Sequence, residues 1–273
     1  MKQRLSQNNY AIITGAAGLL GYFHAEALAE REINLILIDL NKKNLEKISK
    51  ILKKKYKKLN IIYKVVDITN EIKIQKFFRE LKIKKIKFKY LINNAEKNPK
   101  MINFKSKKNN TLENYSSKKL RKDIDVGIIG TFNCCKYFGK NISGDQSGII
   151  VNISSDLGIN APDQRVYDKK KNIRNVKNFK PISYSISKHA INGITKYIAT
   201  FWAHKNIRCN TLSLGAVLNN QPSFLIKNQK EKIPLNRWAK KNEYKSAIQF
   251  LTDEKNSYMT GQNLIIDGGR TIW

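Results

Sequence analysis

The stretch "TGAAGLLG", residues 14–21, decides how this chain folds. It places glycines at 15, 18 and 21 directly behind the apolar run "NYAIIT" and ahead of a stretch, 19–31, that reads as a helix. A strand, a glycine turn and a helix in that order make a phosphate-binding unit. Small residues let the backbone approach a pyrophosphate, and the helix N-terminus offers unpaired N–H groups and the positive end of its dipole. About twenty residues further on, the run "INLILID" ends in Asp39. A carboxylate there accepts hydrogen bonds from ribose hydroxyls and repels a 2′-phosphate, which favours NAD over NADP despite Lys42 and Lys43 nearby.

Working outward from the turn, apolar strands and helical stretches alternate to the end of the chain. The strands "NIIYKVVD", "FKYLINNA", "SGIIVNISS", "IRCNTLSL" and "NLIID" are separated by helical stretches at 42–58, 70–82, 112–120, 121–141, 184–205 and 242–253. Strands that are apolar on both faces belong to a parallel sheet covered by helices on both sides. The predicted fold is therefore α/β, a doubly wound parallel sheet of the Rossmann type. No linker or internal repeat divides residues 1–273, which read as a single dinucleotide-binding domain with an insert at about 156–183.

Gly15, Gly18, Leu20 and Gly21 are the candidate pyrophosphate residues, with Asp39 and Leu40 at the ribose. Asp67 and Ile68 would reach the adenine, and Asn94 and Ala95 would pass beside the adenosine ribose. Gly215 and Val217 follow the sixth strand into the same crevice. In "YSISKHA", Tyr184 and Lys188 stand four apart on one helix face. A free tyrosine titrates near 10 and is a poor base at neutral pH, but a neighbouring ammonium favours its phenolate. Ser155 ends the fifth strand, where its hydroxyl can bond a substrate alcohol or carbonyl.

This order of motifs, closing on "MTGQNLIIDGG", resembles the short-chain dehydrogenase/reductase family over nearly the whole chain. The resemblance implies Tyr184 as general acid/base, Lys188 as the group that lowers its pKa and binds the nicotinamide ribose, and Ser155 as the group that orients the reacting oxygen. It also implies a homodimer or homotetramer. Three departures stand out: Gly127 where the family often has Asn, Glu96 where glycine is usual, and Leu214 where Pro is common. The turn spacing TGxxGxxG and the 29 positions from Ser155 to Tyr184 look like the longer branch that works on nucleotide sugars. The motifs "SSDLGINAPDQRVYD", "YSISKHAI" and "DGGRTIW" look like dehydrogenases of bacterial surface-glycan and flagellin-modification clusters, which make sialic-acid-like sugars.

The expected activity is NAD-dependent oxidation of a secondary alcohol, or reduction of the ketone, on a sugar or sugar derivative. The alternatives are a sugar-nucleotide epimerase or dehydratase with tightly held NAD, and a non-catalytic dinucleotide-binding or nucleic-acid-binding protein. The formal net charge of +31 is spread over many lysine-rich segments, which points to compositional bias first, an anionic sugar-like substrate next and nucleic acid last. The insert is expected as a polar flap whose Arg165, Lys169, Lys170 and Lys171 meet an anionic group, and His189 is a second substrate candidate. His24 and His204 have no second ligand at metal spacing, and no metal is expected. Three cysteines without a CxxC, no membrane-length apolar run and no signal-peptide pattern suit a cytoplasmic protein.

Overall fold

The structure, a computed structural model, describes residues 9–97, 111–142, 147–169 and 178–273. Seven parallel strands form one sheet: β1 (Tyr10–Thr14), β2 (Asn34–Asp39), β3 (Ile61–Val65), β4 (Phe88–Asn93), β5 (Gly148–Ser155), β6 (Ile207–Leu214) and β7 (Asn263–Ile266). Their order is β3-β2-β1-β4-β5-β6-β7. The chain runs outward from β1 to β3, then returns past β1 to β4 and continues the other way. That reversal opens a crevice at the carboxyl ends of β1 and β4, the switch point where ligands of this architecture sit.

The central strands feed two cores because successive side chains point to opposite faces. Ala11, Ile13, Leu35 and Leu37 pack on one side, while Ile12, Ile36 and Ile38 pack on the other. The helices are α1 (Gly21–Ala29), α2 (Lys42–Lys55), α3 (Glu71–Ile83), α4 (Ser117–Ile124), α5 (Thr131–Asn141), α6 (Ile182–Phe201), α7 (Ser223–Lys230) and α8 (Lys245–Leu251), of which α1, α2, α3, α5, α6 and α8 supply residues to these two layers. Each fully buried Leu or Ile contributes about 1.5–3 kcal/mol, so the two apolar layers hold the sheet. The expected α/β sheet covered on both faces is what the chain forms.

Two elements differ from the sequence reading. The single helix expected over 121–141 is interrupted by a wide π turn at Asp125–Gly130. Gly130 lies against Ile68, where a Cβ would come within 2.5 Å of the Ile68 side chain. Helix α7 was not anticipated, since its eight residues carry only a short apolar signal. It buries Leu225 and Asn228, and Leu225 joins Val166, Tyr167, Ile233 and Trp238 in a third, small apolar cluster. That cluster anchors part of the insert expected to be a polar flap: Val166 and Tyr167 are buried.

Candidate active site

The cofactor end of the site is built from backbone. Gly15 has φ +63°, and a Cβ there would lie 2.6 Å from Ala95 Cα, so only glycine lets β1 turn against the chain leaving β4. Asn94 holds that approach, donating from Nδ2 to the carbonyls of Thr14 (3.2 Å) and Gly15 (2.9 Å). Gly21 sits beneath the turn, where a Cβ would meet Gly15 O at 2.3 Å, and it does not line the cleft. Its part is to bring α1 close.

Helix α1, like α5, α6, α7 and α8, has no side-chain cap and no acidic residue in its first turn. Its leading N–H groups thus face the glycine turn with their hydrogen-bonding capacity unspent, as a pyrophosphate requires. At the end of β2, Asp39 accepts from Ala17 N (3.0 Å) and Asn41 N (2.9 Å), one through each oxygen. A carboxylate has further lone pairs for ribose hydroxyls. Asp67 is turned into its own loop, accepting from Thr69 N and Oγ1 through one oxygen.

One cleft of about 840 Å³ runs from this turn past the ends of β1, β4, β5 and β6. It is lined by Gly15, Gly18, Leu20, Asp39, Leu40, Asp67, Ile68, Asn94, Ala95, Gly215 and Val217 at the cofactor end and by Ser155, Tyr184 and Lys188 at the other. Those expected residues come together. Arg165 and His189 do not join them: Arg165 pairs with Asp163 at 2.8 Å on the outer surface, and His189 Nδ1 contacts Ser185 O at 2.9 Å on an exposed face of α6. Lys169 does not line the cleft either, and Lys170 and Lys171 lie outside the described residues.

At the reaction end, Ser155 closes β5 and donates to Asp156 Oδ1 at 2.7 Å. Asp156 in turn faces Arg270, with Nη1 2.9 Å from Oδ2, a close ion pair that lacks an aligned hydrogen bond. Burial pushes the Asp156 carboxyl above the usual carboxylate range, with Arg270 opposing. Lys180 Nζ sits 3.7 Å from the centre of the Tyr184 ring, and burial lowers this lysine to about 8. Lys188 is buried and donates to Ile153 O at 3.0 Å.

The Tyr184 phenol is raised above the ordinary tyrosine value. Burial is the main cause; a hydrogen bond with Ser155 opposes it, and the charges of Glu96 and Asp156 add to it. The Lys188 ammonium stands 5.7 Å from the ring centre and is paired with Glu96 at 2.8 Å. Sequence reasoning missed Asp156, Lys180, Trp238 and Arg270 as cleft residues. Only Asp156, adjacent to Ser155, carried a positional signal.

Among the described residues no group of three or more His, Cys, Asp or Glu could hold a metal ion. His24 is fully buried behind the glycine turn, and burial lowers it to about 4. Cys134, Cys135 and Cys209 are free and buried. Among the described residues no helix is long and apolar enough to cross a membrane.

A family model described as enoyl-(acyl carrier protein) reductase matches residues 15–271. The chain belongs to the short-chain dehydrogenase/reductase family. It is an NAD(P)-dependent oxidoreductase of that family. Relatives include the NAD-dependent glycerol dehydrogenase of Listeria innocua, 28% identical over 96% of this chain and 93% of the relative. Another is the galactitol 2-dehydrogenase of Rhizobium johnstonii, 25% identical over 96% and 95%. The solved structure of a short-chain dehydrogenase from Leptospira borgpetersenii with bound NAD+ superposes with a TM-score of 0.80 at 28% identity, covering 97% of this chain and 93% of that one. As members of the family, these proteins support the motif reading; the link to surface-glycan clusters has no counterpart among them.

Proposed function

We propose that this protein catalyses reversible NAD-dependent oxidation of a secondary alcohol on a polyol, sugar or sugar derivative. The observation that carries the reading is the meeting of Ser155, Tyr184 and Lys188 at one end of a cleft whose other end fits a dinucleotide. The fit rests on the uncapped start of α1, the Gly15 turn and the two-sided Asp39 carboxylate. When bound, the nicotinamide would supply the hydride acceptor or donor. Tyr184 would exchange the substrate hydroxyl proton, and the Ser155 hydroxyl would hold the reacting oxygen in line with it. Lys188 would hold the nicotinamide ribose.

Several features support finer points. Asp39 disfavours a 2′-phosphate and supports NAD over NADP, and Lys42 is turned toward Glu46 at 4.0 Å. The glycerol and galactitol relatives support a polyhydroxy substrate. The narrower reading, a sugar of surface-glycan assembly, rests on the motif resemblance at 154–168, 184–191 and 267–273. Buried free thiols suit the reducing cytoplasm. The test is to incubate the protein and NAD with polyols, sugar acids and phosphorylated or nucleotide-linked amino sugars, following NADH. Net NADH with one class supports a dehydrogenase. Conversion without net NADH would replace it with an epimerase or dehydratase, and no turnover with any class alongside tight NAD binding would favour a sensor.

A further inference from the structure

Two departures in the sequence, Glu96 and Gly127, meet in space. Glu96 follows β4, and Gly127 lies in the π turn between α4 and α5. A Cβ on Gly127 would stand 2.0 Å from Ser187 Oγ and 2.7 Å from both carboxylate oxygens of Glu96. The Ser187 hydroxyl and the carboxylate it is bonded to together fill the space that any larger residue at 127 would need. The carboxylate accepts from Ser187 Oγ at 2.9 Å and from Lys97 N at 3.0 Å, and it pairs with Lys188 Nζ at 2.8 Å. Both side chains of that pair are largely buried, 5% exposed for Lys188 and 11% for Glu96.

We propose that Glu96 is a positioning residue of the reaction centre: over Gly127 it clamps the Lys188 ammonium and sets the pH at which Tyr184 exchanges its proton. The Lys188 ammonium donates to Ile153 O and is held in an ion pair by Glu96, and the two contacts together fix where it sits. The clamp also offsets the lysine's charge. A carboxylate near a phenol disfavours the phenolate, and the direction found for Tyr184 agrees. The other groups facing Tyr184 are Ser155 and Asp156 from the end of β5, Tyr167 from the insert, and Lys180 and Lys188 on either side of it in sequence, with Arg270 behind Asp156.

The inference rests on Tyr184 being the proton-exchanging group. Its test is Glu96→Gln, which keeps the shape and removes the charge. The alkaline-rising limb of the oxidation rate should move to lower pH by about 1 unit. At a pH on that limb turnover should rise about tenfold, and Tm should fall, because removing one partner of a buried ion pair leaves the Lys188 charge unpaired. Gly127→Asn should lose stability in the wild-type background and recover it with Glu96→Gly. That double variant, which also lacks the carboxylate, should show the same acidward limb. It supplies the readout should Glu96→Gln fail to fold. An unmoved limb in folded, active variants overturns the role of Glu96, provided Tyr184→Phe is inactive. Near-wild-type rates in Tyr184→Phe instead overturn the functional reading beneath it.

Discussion

The two ends of the cleft are built by different means. The cofactor end is made of backbone: a glycine turn with φ +63° at Gly15, an uncapped helix start and strand ends stacked in register. The reaction end is made of side chains brought from far apart, Glu96, Ser155, Asp156, Lys180, Tyr184, Lys188 and Arg270. Backbone geometry tolerates few residue types at a few positions. A side-chain constellation can exchange members as long as charge and volume balance. Glu96 and Gly127 show such an exchange, the carboxylate and the Ser187 hydroxyl together occupying what the missing Cβ leaves.

The comparison can be broken most directly at Tyr184. Tyr184→Phe should lower turnover at least 10²-fold, since acid–base catalysis is typically worth about 10²–10⁴-fold. NAD affinity by calorimetry should be unchanged, because the other end of the cleft is untouched. Weakened NAD binding would show the two ends to be one unit. At the cofactor end, Gly21→Ala should act in the opposite sense, costing about 3 kcal/mol by overpacking against Gly15 O. Thermal denaturation should show this as a Tm loss of roughly 6–12 °C, and both substrates should bind more weakly.

A smaller effect sharpens the cofactor half. Asp39→Asn keeps a side chain that can accept from Ala17 N while removing the charge. The ratio of kcat/KM for NAD over NADP should fall by about tenfold, on the order of 1.4 kcal/mol. An unchanged ratio would show that something other than charge selects the cofactor. The smallest effect is expected at Arg165, whose guanidinium pairs with Asp163 away from the cleft. Arg165→Ala should change the substrate KM less than about twofold, as exposed ion pairs contribute little. A large rise in KM would return the outer insert to the substrate site.

The legibility of the sequence follows the same division. The glycine turn, Asp39, Asn94 and the ends of β5 and β6 could be read because each stands at a fixed offset from an apolar run. Tyr184 and Lys188 could be read because helix periodicity puts both on one face. Arg270, Trp238 and Lys180 lie in segments with no period, and only tertiary folding carries them into the cleft. Arg165 misled for the same reason: a cation in a polar insert says nothing about which way it turns. The break at Asp125–Gly130 was hidden because a π turn preserves helical composition while adding a residue to the turn.

His24, sealed behind the glycine turn, ties the cofactor end to the proton balance of the whole fold. Burial lowers its imidazole from the ordinary 6.5 to about 4, so between those values the unfolded chain binds a proton that the folded one refuses. Native stability from this residue is complete above pH 6.5 and drains away as the pH falls from 6.5 toward 4. The loss is on the order of 3 kcal/mol. In that interval refolding expels a proton, and the dinucleotide, by binding only the folded form, would draw the same proton out of the chain.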